Sequence, residues 1–176
     1  MLMTRETEIS KPDRDYHITW YRLDGRDGYL ISFMGEPDGC VVDTEGKIPS
    51  FQSQKRAILF AASLEIPIVE NELSLDNLDL GQNWINNKRL RAIDCDNLLT
   101  VWNFLDDVSV SVNGNFDSKK KRTNKIYDKI FFGNNLPAIT PKGESYEPIW
   151  SKAERDVIRE VLSLGFDIFR GAVKCQ

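Results

Sequence analysis

Between Tyr16 and Leu23 apolar and polar positions alternate with a period of two. That predicts a strand with Tyr16, Ile18 and Trp20 on one face and His17, Thr19 and Tyr21 on the other. Asp24-Gly25-Arg26-Asp27-Gly28 has the composition of a hairpin loop. Tyr29–Met34 is the returning strand, Glu36-Pro37-Asp38-Gly39 a turn, and Cys40–Asp43 a third short strand, so this part of the chain reads as an antiparallel meander. From Ser53 to Leu64 the spacing becomes helical. Ala57, Ile58, Ala61, Ala62 and Leu64 give the apolar stripe, and Ser50 or Ser53 is the cap. Pro67 cannot continue a helix, and Ile66–Val69 fits a short edge strand. Residues 70–92 mix periods: Leu73, Leu75, Leu78, Leu80, Trp84 and Ile85 require burial without dictating an element.

The second half is helical. Leu98, Val101, Trp102, Leu105, Val108 and Val112 recur at three- and four-residue steps, predicting a helix over Cys95–Val112. Asp94 or Asp96 caps its start, and Gly114 stands where a left-handed cap belongs. A third helix is expected over Ser118–Phe132, with Ile126, Ile130 and Phe131 inward. Residues 133–149, with Gly133, Pro137, Pro141, Gly143 and Pro148, read as a long loop, a kind of segment that often carries function. Ser151-Lys152-Ala153-Glu154 is a capping box for a closing helix that buries Val157, Ile158, Val161, Leu162, Ile168 and Phe169. The expected fold class is α+β, an N-terminal antiparallel β-meander packed with several C-terminal α-helices.

Length and composition add bounds. The chain has 176 residues, 41% of them hydrophobic and four of them tryptophan, enough for one core. We expect a flexible lead-in over 1–15 and a single α+β domain over 16–176. No apolar run approaches the roughly 18 residues of a membrane helix, and the polar start is unlike a signal peptide, so a cytoplasmic location is expected. Cys40, Cys95 and Cys175 are odd in number and lack C-x-x-C spacing, which reads as three free thiols.

Charge is distributed unevenly. Glu65–Asp117 holds ten carboxylates against three bases, Lys88, Arg89 and Arg91, a local charge of −7 in a chain whose total is −4. Such a field attracts a cationic partner and speeds its encounter. Catalytic apparatus is absent by pattern. There is one histidine, His17, with no sequence partner, no G-x-S-x-G elbow, no phosphate loop and no G-x-G-x-x-G; Ser32, Ser63 and Ser163 stand outside any such motif. No cofactor, metal or catalytic residue is therefore expected. A metal held by Asp94 or Asp96 in a hydrolase is one alternative, and a regulatory protein-binding module is another. The basic run Lys119–Lys125 could hold phosphates, but the acids before it repel a polyanion, which argues against nucleic acid as the partner. Trp20, Trp84 and Trp102 are expected inside. Tyr146 and Trp150 flank the long loop, and an exposed aromatic such as Tyr146 suits a protein interface.

The helix Asp94-Cys95-Asp96-Asn97-Leu98-Leu99-Thr100-Val101-Trp102-Asn103-Phe104-Leu105-Asp106-Asp107-Val108, with the closing amphipathic helix in a small acidic chain, resembles the immunity proteins of bacterial contact-dependent growth inhibition and related polymorphic toxin systems. The resemblance implies a protein that binds one cognate toxin domain, often a nuclease, and neutralises it. A nuclease holds phosphates, so its cleft is basic and complements an acidic inhibitor. Glu70, Glu72, Asp76, Asp79, Asp94, Asp96, Asp106, Asp107 and Tyr146 are the expected partner-binding residues.

Overall fold

The structure is a computed structural model that describes residues 14–116 and 121–176. The lead-in up to residue 13, Asp117, Ser118 and the first lysines of the basic run lie outside the described residues. The fold is α+β: a mixed sheet from the N-terminal half, with five helices that are mostly C-terminal.

The alternation in the first strands dictates two buried faces. Strand β1 (Asp15–Leu23) pairs antiparallel with β2 (Arg26–Met34), Tyr21 opposite Gly28 and His17 opposite Ser32. The turn is only Asp24-Gly25, both at positive φ, which suits the twist of the flanking strands and lets β2 begin at Arg26 rather than Tyr29. Gly28 is needed sterically: a Cβ there would lie 2.4 Å from the Tyr21 ring, which crosses the sheet to place its hydroxyl 2.7 Å from Ser50 Oγ. The third strand shrinks to β3 (Gly39–Cys40) on the free edge of β2.

The unreadable stretch after residue 70 supplies the correction to the pure meander. Strand β5 (Leu75–Asn77) joins the other edge of β1 in parallel, giving the order β3-β2-β1-β5. Ile68 reaches the same edge of β1 through a single bridge to Tyr16, so the expected edge strand is only a contact point. A separate two-stranded parallel ribbon pairs β4 (Ile48–Ser50) with β6 (Val173–Cys175).

Helix α1 (Gln54–Ser63), capped by Ser53, covers one sheet face through Ala57 and Ala61, against Ile18, Ile31 and Phe51. Ile58 and Leu64, expected in its stripe, are exposed, because the face in contact follows the i, i+4 pair of small alanines. The opposite face carries the larger core. There Tyr21, Leu23 and Leu30 meet α2 (Leu78–Asn86), α3 (Cys95–Ser111) and α5 (Lys152–Ala172). Helix α4 (Lys121–Gly133) packs on α3 through buried Ile126 and Ile130. Trp102 and Trp84 are buried as expected, whereas Trp20 is only partly covered and stacks on Tyr29. Helix α3 ends with Asn113, not Gly114, in the left-handed conformation; Gly114 instead packs where a Cβ would meet Ser109 Oγ at 2.8 Å. Cys40 and Cys95 are buried and Cys175 exposed, all as free thiols. Among the described residues no helix is long and apolar enough to cross a membrane.

Candidate functional site

The α3-facing side of the sheet changes character along β1. Its hairpin end is apolar, with Tyr21, Leu23 and Leu30. Its other end carries Thr19 and, across the ladder, Ser32, whose hydroxyls lie 2.7 Å apart. The face of α3 above it changes in step: Thr100, Asn103 and Asp107 follow one another at i, i+3 and i+7. Asp76 enters from β5, opposite Tyr21 and hence on the same face. Together these groups enclose a recess of about 260 Å³, with Leu30, Phe104 and Cys40 forming its apolar wall. At about 30 Å³ per water in the liquid, that is room for a side-chain head group or roughly eight waters.

The electrostatics of the recess are unbalanced. Burial pushes the Asp107 carboxyl up to about 7, and the like charges of Asp38, Asp106 and Asp76 add to it. Burial alone raises Asp76 to about 6. Neither carboxylate has a cation or a hydrogen-bond donor against it among the described residues. Half-buried carboxylates normally recover their lost hydration from such partners. The rim is set by hydrogen bonds: Ser111 Oγ accepts from the Cys40 amide (2.6 Å) and donates to the Asp107 carbonyl (2.6 Å), tying β3 to α3. Tyr127 donates its hydroxyl to Asn103 Oδ1 (2.9 Å), which ties α4 in as well. The Cys40 thiol is pushed up to about 12 by burial, with the Asp107 charge adding, so it is inert as a nucleophile.

The nine residues singled out from the sequence do not form one surface. Asp76 and Asp107 share the recess, and Asp106 lies close enough to act on Asp107. Asp79 is used internally: its two carboxylate oxygens accept from the amides of Asp24 (2.6 Å) and Gly25 (2.9 Å), pinning the hairpin turn. Asp94 caps α3 by accepting from the Asn97 amide, and it and Asp96 stand exposed roughly 16–20 Å along the helix axis from Asp107. Glu70 and Glu72 are exposed on the segment leading to β5. Tyr146 is 44% exposed on the long loop, which Asn135 clamps by hydrogen bonds to both the Tyr146 amide and carbonyl; it borders a different cleft, beside Trp150 and Cys95. Thr19, Ser32, Asp38, Thr100 and Asn103 were not singled out. The signal for the helix pair was present, as polar residues repeating on an otherwise apolar helix. Asp38 lies in a turn, whose packing against α3 no local pattern reveals.

Among the described residues no group of three or more His, Cys, Asp or Glu side chains converges as a metal site requires. His17 faces the α3 side of the sheet, with its Nε2 shielded and unbonded among the described residues.

No protein-family model and no curated protein matches the chain. Among solved structures, the crystal structure of the SatS C-terminal domain in complex with bromine is similar over 92% of this chain and 94% of that chain, at 10% identity and a TM-score of 0.46. A likeness that weak carries no argument about function.

Proposed function

We propose that this protein is a non-catalytic binding protein of the immunity type, which neutralises a basic toxin domain, a nuclease by preference, by receiving one of its cationic side chains in the recess between Asp76 and Asp107. One observation carries this reading. Two half-buried carboxylates, with no cation against them among the described residues, open onto a pocket whose other polar lining is hydroxyls and an amide. An arginine fork or a lysine ammonium supplies the missing charge and donors there. The partner class, a toxin, rests on the resemblance of residues 94–108 and is not carried by geometry. The carboxylate-metal hydrolase is the weaker reading, since it needs a third converging ligand. A regulatory module with a different cationic partner would use the same recess.

Co-expression with the toxin encoded by the adjacent upstream gene tests the proposal. Cells carrying this protein should survive, and Asp76→Asn/Asp107→Asn should weaken binding by about 30-fold, the loss of about 2 kcal/mol expected when one side of a desolvated charge pair is neutralised. Death despite the wild-type protein refutes the toxin assignment. Tight binding retained by the double variant refutes the recess as its seat.

A further inference from the structure

The bases that dilute the acidic segment have a second use in the fold. Helix α5 places Lys152, Arg155, Asp156 and Arg159 at i, i+3, i+4 and i+7, one stripe about 10 Å long on its first two turns. The segment joining α2 to α3 runs alongside and adds Lys88 and Arg91. Between them lies a cleft of about 630 Å³, more than twice the volume of the acidic recess. Five cations and one acid line it, on a chain whose net charge is −4.

The arginines are set in place, not loose. Arg159 lies over the Trp84 ring (4.2 Å to the centroid) and donates to the Leu90 carbonyl (3.0 Å). Arg155 donates to the Trp150 carbonyl (2.6 Å). Each is fixed through one bond, which leaves further guanidinium donors for the cleft. Asp156 is the one acid present and is engaged by Lys152 at 2.8 Å; that bond, with Arg159 and Lys88 nearby, holds its carboxyl below the ordinary range. Lys88, Arg91, Arg155 and Arg159 have no carboxylate partner among the described residues. The cleft also sits at the N-terminal end of a 21-residue helix, whose dipole favours an anion.

We infer that this cleft binds a ligand carrying two or more phosphate groups. Two oriented guanidinium forks on α5 match phosphate oxygens bidentately, Lys88 and Arg91 add charge from the facing segment, and four cations with no carboxylate bonded to them exceed what one singly charged anion needs. The site is separate from the acidic recess, so it stands whatever occupies that recess.

Isothermal titration of the full chain at low salt with inorganic tripolyphosphate, and separately with a short single-stranded oligonucleotide, tests this. Lys88→Glu/Arg91→Glu changes two exposed side chains outside the core and should weaken binding by about tenfold or more. Lys55→Glu/Arg56→Glu on α1, across the sheet, makes the same change in net charge and should leave binding unaltered. Tripolyphosphate binding with that pattern supports a free polyphosphate. Oligonucleotide binding alone with that pattern assigns the phosphates to a nucleic-acid backbone. Equal losses in both variants, or no binding of either probe, overturns the site.

Discussion

Asp107 sets a carboxylate in half-buried surroundings with Asp38, Asp76 and Asp106 as neighbours and titrates at about 7, against an ordinary value of 3.8. Between those values the folded chain holds a proton that the unfolded chain has released. Stability contributed at this position is therefore greatest below 3.8, declines as pH rises to about 7, and is flat above. Asp107→Asn keeps the shape and removes the titration. It should leave the melting temperature unchanged near pH 4. Near pH 8 it should raise stability by about 1–2 kcal/mol after allowance for solvent access, or about 2–8 °C in Tm. Thermal denaturation at the two pH values checks this, and a variant less stable at pH 8 would show that Asp107 is compensated in some other way. A residue that stabilises when neutralised is one whose charge serves something other than folding. The same residue shows how far side-chain patterns carry. Its acidity and helical position were legible, but its burial was not, because that depends on where β3 and β5 lie.

At the level of elements, legibility followed the length over which a period persists. Helices α3 and α5 repeat their apolar positions over several turns, and their caps, Asp94 and the Ser151–Glu154 box, are where the local pattern put them. The stretch from 70 to 92 defeated the same reading, because β5 and α2 are three and nine residues long and abut with no intervening loop. Two periods in succession, each too short to repeat, look like none. Asp79 lies at that junction, in the first turn of α2, and its grip on Asp24 and Gly25 joins the helix to the β1–β2 hairpin. Asp79→Ala removes both acceptors and should cost about 1–2 kcal/mol, seen as a lower denaturation midpoint with unchanged slope. Partner affinity should stay the same, since this carboxylate is spent on the turn. A variant of native stability that lost its partner would return Asp79 to the interface.

On the scale of the whole molecule, the net charge of −4 conceals two poles. The acids that act together lie at Asp38, Asp76, Asp106 and Asp107, and the bases that act together line the cleft at the start of α5. Segment arithmetic along the chain could not separate them, since Lys88 and Arg91 sit inside the acidic stretch and are drawn away from it only by the packing of α5. Opposed poles orient as well as attract: a cationic partner meets the acidic recess favourably and the basic cleft unfavourably, so collisions are sorted before contact. Association of the proposed cationic partner should therefore slow as salt rises, because screening shortens the field to about 8 Å at physiological ionic strength. It should also slow as pH falls through about 7, where Asp107 takes up a proton, and further through about 6, where Asp76 does. Asp76→Asn/Asp107→Asn should flatten both dependences. Lys88→Glu/Arg91→Glu should keep both and raise the on-rate slightly, by removing repulsion. Stopped-flow association across a salt and pH series decides it. A rate indifferent to salt would mean that charge does not steer the encounter, and one that slows in the Lys88/Arg91 variant would mean that the partner approaches the basic pole; either result shows that the recess is not where recognition begins.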